Sequence, residues 1–264
     1  MTFDTISENR KEELLNINTV LKEEGHFLEM ALSLICYLYS SSSTHSDNNY
    51  IKRSFTYAID MLSSLSSIEK VRKELIVQKD SKTKSSKYFN YYTDKKSLNG
   101  AQVLLHQFST IGTIQKHKSL QDTEDRSFSE NVLYLFTRLG EYSFKDLYDF
   151  VGMKTSQVMT QISGIVQESQ DVLILQHCLR LITMYFSKEG RSLSKDVISD
   201  DLLKKASESI IMVLEKKLGQ STSFTSTMYV QSENSSAVEI ARLQFMCFTA
   251  FNCLDMKDLT IWKL

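Results

Sequence analysis

The chain contains no proline in 264 residues; at ordinary usage roughly thirteen would be expected. Proline removes a backbone N–H and clashes with the preceding helical turn, so a chain without it can stay helical almost throughout. Glycine, the other helix breaker, occurs only 8 times. Net charge is nearly absent: 31 Lys and Arg against 32 Asp and Glu leave −1. No overall field steers such a chain toward nucleic acid or an anionic membrane, and any charge-driven partner must meet a local patch. Long apolar runs are missing too. The most apolar stretch, residues 27–39, is interrupted by Glu29 and is too short to span a bilayer. The first fifteen residues lack the basic start and apolar stretch of a signal peptide. The expectation is an intracellular protein, cytoplasmic or nuclear, with no membrane association. Cys36, Cys178, Cys247 and Cys253 lie in apolar helical runs without CxxC pairing, which points to buried free thiols rather than a disulfide or zinc framework.

What is present is core material: 42% hydrophobic residues and 10% aromatics exclude disorder of the whole chain. Apolar spacing predicts successive helices over 5–24, 26–40, 50–65, 98–117, 127–140, 144–151, 155–167, 171–186, 199–218 and 237–254. Capping-box patterns stand at Thr5-Ile6-Ser7-Glu8 and Ser127-Phe128-Ser129-Glu130. A third, Ser66-Ser67-Ile68-Glu69, introduces a further helix. Polar loops are expected at 40–49, 79–98 and 220–236. Helices joined by short polar turns pack antiparallel. The fold class is therefore all-α with essentially no sheet, one domain over 1–264. It is built either as stacked helix pairs, an irregular α-solenoid of the armadillo or HEAT kind, or as an irregular helical bundle. Leu34, Ile35, Leu38, Leu175, Leu179, Ile182, Phe245 and Phe248 fall on the most apolar helices and are expected in the core.

The most specific local pattern runs from Phe144 to Ile162: a short amphipathic helix, Gly152 at a turn, and Val158 six positions later to lock a second helix. It resembles a helix-turn-helix over about twenty residues. It departs from that pattern at Tyr148, where a small residue usually permits close helix crossing. The resemblance implies that Lys154, Thr155, Ser156, Gln157 and Gln161 would face a nucleic-acid groove. Charge argues otherwise. Between Glu141 and Glu168, Lys145 and Lys154 meet four acids, and a surface of net −2 neutralises few phosphates. As a plain αα-hairpin, the segment buries Phe144, Leu147, Val151, Val158 and Ile162.

Catalytic patterns are weak. Glu23-Glu24-Gly25-His26 holds a single ExxH broken by glycine, whereas carboxylate-bridged metal sites need two such motifs on facing helices. His177-Cys178 sits in an apolar run and reads as core rather than as a nucleophile pair. Asp200-Asp201 reads as helix capping rather than a magnesium pair. The sequence shows no phosphate loop, nucleophile elbow or zinc spacing, so no metal, cofactor or small-molecule substrate is expected. The 36 serines cluster in the loops, where phosphorylation would add charge near helix ends. The basic segment 79–98 carries six lysines against two aspartates, a net +4, with four aromatics in its middle. Lys82, Lys84, Lys87, Tyr88, Phe89, Tyr91, Tyr92, Lys95 and Lys96 form the expected partner-binding set, since aromatics beside cations suit acidic peptides or unpaired nucleic acid. The functional expectation is a noncatalytic helical scaffold or adaptor that binds other protein subunits. The alternatives are a helix-turn-helix nucleic-acid binder over 144–167 and a helical enzyme or lipid carrier with a hidden pocket.

Overall fold

The computed structural model describes residues 27–44, 49–80, 91–93, 96–117, 123–221 and 233–254, and among them helix dominates. Packing divides the chain into two compact units, Met1–His106 and Gln107–Leu264.

In the first unit, α1 (Phe27–Thr44), α2 (Asn49–Leu65) and α3 (Glu69–Asp80) precede a hairpin of β1 (Tyr91–Thr93) and β2 (Lys96–Leu98), followed by the start of α4 (Gly100–His117). Helix α1 packs on α2, α3 and β1. Its buried face, Leu28, Leu32, Ile35 and Leu38, meets Ile59, Leu62, Val71 and Leu75 in the core. Helix α4 opens with a reciprocal cap: the Gln102 amide donates to Asn99 Oδ1 at 3.0 Å and the Asn99 amide to Gln102 Oε1 at 2.9 Å. Gly100 is required where α4 begins, because any Cβ there would overlap the backbone of Leu32. Three expectations are corrected here. The serine run 40–43 continues α1 as far as Thr44, since no breaker interrupts it. Ser66 does not cap α3; its hydroxyl donates backwards to the Ser63 carbonyl at 2.5 Å. The expected loop 79–98 contains a short hairpin, because Tyr91, Tyr92 and Thr93 are strand formers and pair antiparallel with Leu98, Ser97 and Lys96, while the fold is all-α as expected.

The second unit holds the end of α4, then α5 (Thr123–Tyr142), α6 (Phe144–Val151), α7 (Thr155–Glu168), α8 (Val172–Phe186), α9 (Lys188–Leu193), α10 (Asp200–Ser221) and α11 (Glu233–Cys253). The short α9, capped by the Ser187 hydroxyl accepting from the Gly190 amide at 3.0 Å, has no counterpart in the expected series. Helix α11 starts four residues early, inside the segment expected as loop. Helix α8 is central, touching α5, α7, α9, α10 and α11. Leu175, Leu179 and Ile182 are buried there as expected. An aromatic cluster fills the space beside it, with Phe144 and Tyr185 edge to face at 5.0 Å and Phe108 against Phe136 at 4.9 Å.

Three of the expected core residues are instead on the surface: Leu34 is 42% exposed, Phe245 71% and Phe248 57%. Their helices are apolar on more than one side, and composition alone cannot say which side a neighbour covers.

Candidate protein-docking face

Helix α11 turns its two faces to different surroundings. Leu243, Cys247, Ala250 and Leu254 are buried, and the helix packs on α8 and α10. At 100° per residue, Val238, Ala241, Phe245 and Phe248 share an arc of about 80° nearly opposite that buried face. All four are exposed, with Val238 at 69%. The usual order of sizes is therefore reversed, small side chains inside and two phenyl rings outside. Arg242 and Thr249 border this stripe on one side and Asn252 continues it, all exposed. A patch of large aromatics on a helix held firmly from behind is suited to bind protein. Sequence reasoning assigned both rings to the core. The signal that separates them was the 3–4–3 spacing of 238, 241, 245 and 248 set against a second apolar series at 243, 247, 250 and 254.

The end of α11 is tied down by Arg191, whose Nη2 donates to the Cys253 carbonyl at 2.9 Å while its Nε donates to the Phe186 carbonyl at 3.0 Å. One guanidinium thus serves the last carbonyls of both α8 and α11.

In the helix-turn-helix-like segment Phe144, Leu147, Val151, Val158 and Ile162 are all buried as expected, with α6 packed on α5 and α9 and α7 packed on α10 and α8. Gly152 adopts φ 67° and its amide bonds to the Tyr148 carbonyl, a left-handed cap that only glycine adopts freely. Tyr148, the departure from the pattern, has a structural use: it is buried against Tyr185 and its hydroxyl accepts from the Lys195 amide at 2.9 Å. The N-terminus of α7 is occupied by an acid. Asp196 accepts from the Thr155 amide at 3.1 Å and the Ser156 amide at 2.9 Å, with a third bond from the Ser194 hydroxyl at 2.8 Å. Burial pushes this carboxyl up, but the bonds from Ser156, Ser194 and Thr155 outweigh it and hold its pKa at about 2. At the other end of α7, Lys216 Nζ donates to the Val166 and Gln167 carbonyls, both at 2.6 Å, and to that of Ser169 at 3.1 Å. Each end therefore carries the charge that its helix dipole favours. Of the residues that the resemblance aimed at a groove, Thr155 is buried, Gln161 is half-buried, and Lys154, Ser156 and Gln157 are exposed. The Gln157 side chain accepts from the Lys154 amide at 2.9 Å.

His177 and Cys178 are both buried on α8. The His177 Nδ1 lies 3.2 Å from the Thr137 hydroxyl and its ring stands edge-on to Tyr134. Burial, then the charges of Arg180 and Arg242, hold its pKa down at about 4. Burial pushes the Cys178 thiol up to about 12, and Cys247 likewise to about 12. Neither cysteine presents a thiolate at neutral pH. Among the described residues no group of three or more His, Cys, Asp or Glu could hold a metal ion, and no described helix is long and apolar enough to cross a membrane.

Of the basic aromatic set, Lys82, Lys84, Lys87, Tyr88, Phe89 and Lys95 lie outside the described residues. Tyr91, Tyr92 and Lys96 are described only as backbone, in the hairpin. No family model matches the chain, and neither the curated proteins nor the solved structures hold a match to it.

Proposed function

We propose that the protein is a noncatalytic adaptor whose second unit is an irregular helical bundle and whose protein-binding surface is the outer face of α11. Stacked repeats touch only their sequence neighbours, whereas α8 is wrapped by five helices, which favours the bundle over the solenoid. The observation that carries the function is the exposure of Phe245 and Phe248 on a helix anchored from behind. Solvation of two rings is unfavourable by roughly 25 cal/mol per Å² of apolar surface, a penalty that a docked partner removes. The buried, neutral His177 and Cys178 support the noncatalytic reading. The nucleic-acid alternative is weakened by Asp196, a carboxylate seated where a phosphate would approach the α7 N-terminus.

The test replaces Phe245 and Phe248 together by Asp. The double variant is expected to keep the wild-type circular dichroism and melting midpoint while losing the proteins that copurify with the wild type from its native cells. Retention of all those proteins by a folded double variant overturns the assignment of the surface.

A further inference from the structure

Resting on the α11 face as the protein-binding surface, we infer that its occupant is a second copy of the same chain, docked antiparallel through α11. The stripe is uncharged and asymmetric along its length: Val238 and Ala241 are small and lie at its start, while Phe245 and Phe248 are large and lie further on. The spacing 238, 241, 245, 248 is that of a two-helix seam. A two-fold axis crossing the helix at the level of residue 243 sets Phe248 of each copy opposite Val238 of the other, and Phe245 opposite Ala241. Every layer then pairs one large side chain with one small one, the interdigitation that fills a core without voids. A parallel pairing does the reverse, stacking Phe on Phe at one end and leaving Ala against Ala at the other. Because an isologous interface is made from one patch used twice, a surface complementary to itself only when reversed specifies this arrangement.

The area is consistent with a dimer of modest affinity. Phe245 and Phe248, at 71% and 57% exposed, offer roughly 250 Å² between them. With Val238, Ala241 and the polar rim, a helix pair of this length approaches the lower end of specific interfaces, about 600 Å² per partner. Concentrations of about 1–100 μM are where association of so small an interface is sought.

Sedimentation of the full chain from about 1 to 200 μM reads the proposal directly, with circular dichroism checking that each variant is folded. The wild type is expected to pass from monomer to dimer across that range. Phe245→Ala and Ala241→Phe each weaken the dimer at least about tenfold, the first by emptying a layer and the second by crowding it. Combined in one chain, A241F with F245A rebuilds a large-on-small layer and restores the dimer to within about threefold of the wild type. A wild type that stays monomeric at the highest concentration overturns the inference. So does a dimer indifferent to both single changes, or one that both singles weaken but the swap does not restore. A monomer whose copurifying proteins are nevertheless lost with Phe245→Asp and Phe248→Asp defeats the second copy and leaves the docking face standing. A dimer with no other protein attached defeats the adaptor and leaves the second copy standing.

Discussion

Helices α8 and α11 both carry apolar residues on more than one side and are enclosed to different degrees. Helix α8 buries Leu175, Cys178, Leu179, Ile182 and Phe186 beneath five neighbours, while α11 buries Leu243, Cys247 and Ala250 and leaves Val238, Phe245 and Phe248 in solvent. Apolar content sets how much surface a helix can bury; the number of neighbours sets how much it does. Helix α8 is enclosed because α5, α7, α9, α10 and α11 pack around it. Where the neighbours reach only one side, the other face remains as an exposed apolar surface, the kind of patch on which the proposed docking rests.

The largest effect should separate the two helices by stability. Leu179→Ala is expected to destabilise by about 2–5 kcal/mol, since it empties a filled site, whereas Phe245→Ala should change stability by less than about 0.5 kcal/mol at concentrations that keep the chain monomeric. Denaturant midpoints measure both. Equal losses would show that the outer face of α11 is packed and would end the contrast.

Acid sharpens the same comparison. His177 sits on α8 with its folded pKa held at about 4, below the ordinary 6.5, so between those values the unfolded chain takes up a proton that the folded one refuses. Its contribution is complete above pH 6.5 and is lost as pH falls toward 4, by about 3 kcal/mol in all. His177→Gln should remove that slope from urea midpoints compared at pH 7 and 4.5. A wild type with no such slope would mean that water reaches His177 and that α8 is open there. Arg191 gives a smaller effect: Arg191→Ala should lower stability by about 1–2 kcal/mol and speed amide exchange in the last turns of both α8 and α11, whose carbonyls it holds. Exchange quickened in only one of them would show that the two ends are not coupled through this side chain.

Most of the helical framework could be read from the chain, because its signals are local. Gly152 and Asp171 mark helix ends that the structure keeps, and the burial of Phe144, Leu147, Val151, Val158 and Ile162 follows from their spacing alone. What could not be read depends on distant residues. Nothing near Phe245 states that α8 and α10 occupy the other side of its helix, and nothing near Thr155 announces Asp196. Lys216 stands on α10 yet closes the C-terminal end of α7, which no residue near it announces. The strand pairing of 91–98 was hidden by a lysine-rich composition that resembles a loop. The exposed face of α11 was missed for a related reason: its residues have the chemistry of a core, and only the three-dimensional neighbours reveal that they are not one.

The Asp196 cap also bears on the order in which this unit assembles. Its carboxylate lies about forty residues along the chain from the amides it receives, with all of α8 and α9 between. Closing so long a loop is entropically unfavourable until those helices are in place, so the N-terminal amides of α7 are expected to stay hydrated until α8 and α9 have packed. The acid then arrives as a late latch. Interactions absent from the folding transition state act mainly on the rate of unfolding, and the bond from Asp196 to α7 therefore governs how long the folded unit persists more than how fast it forms.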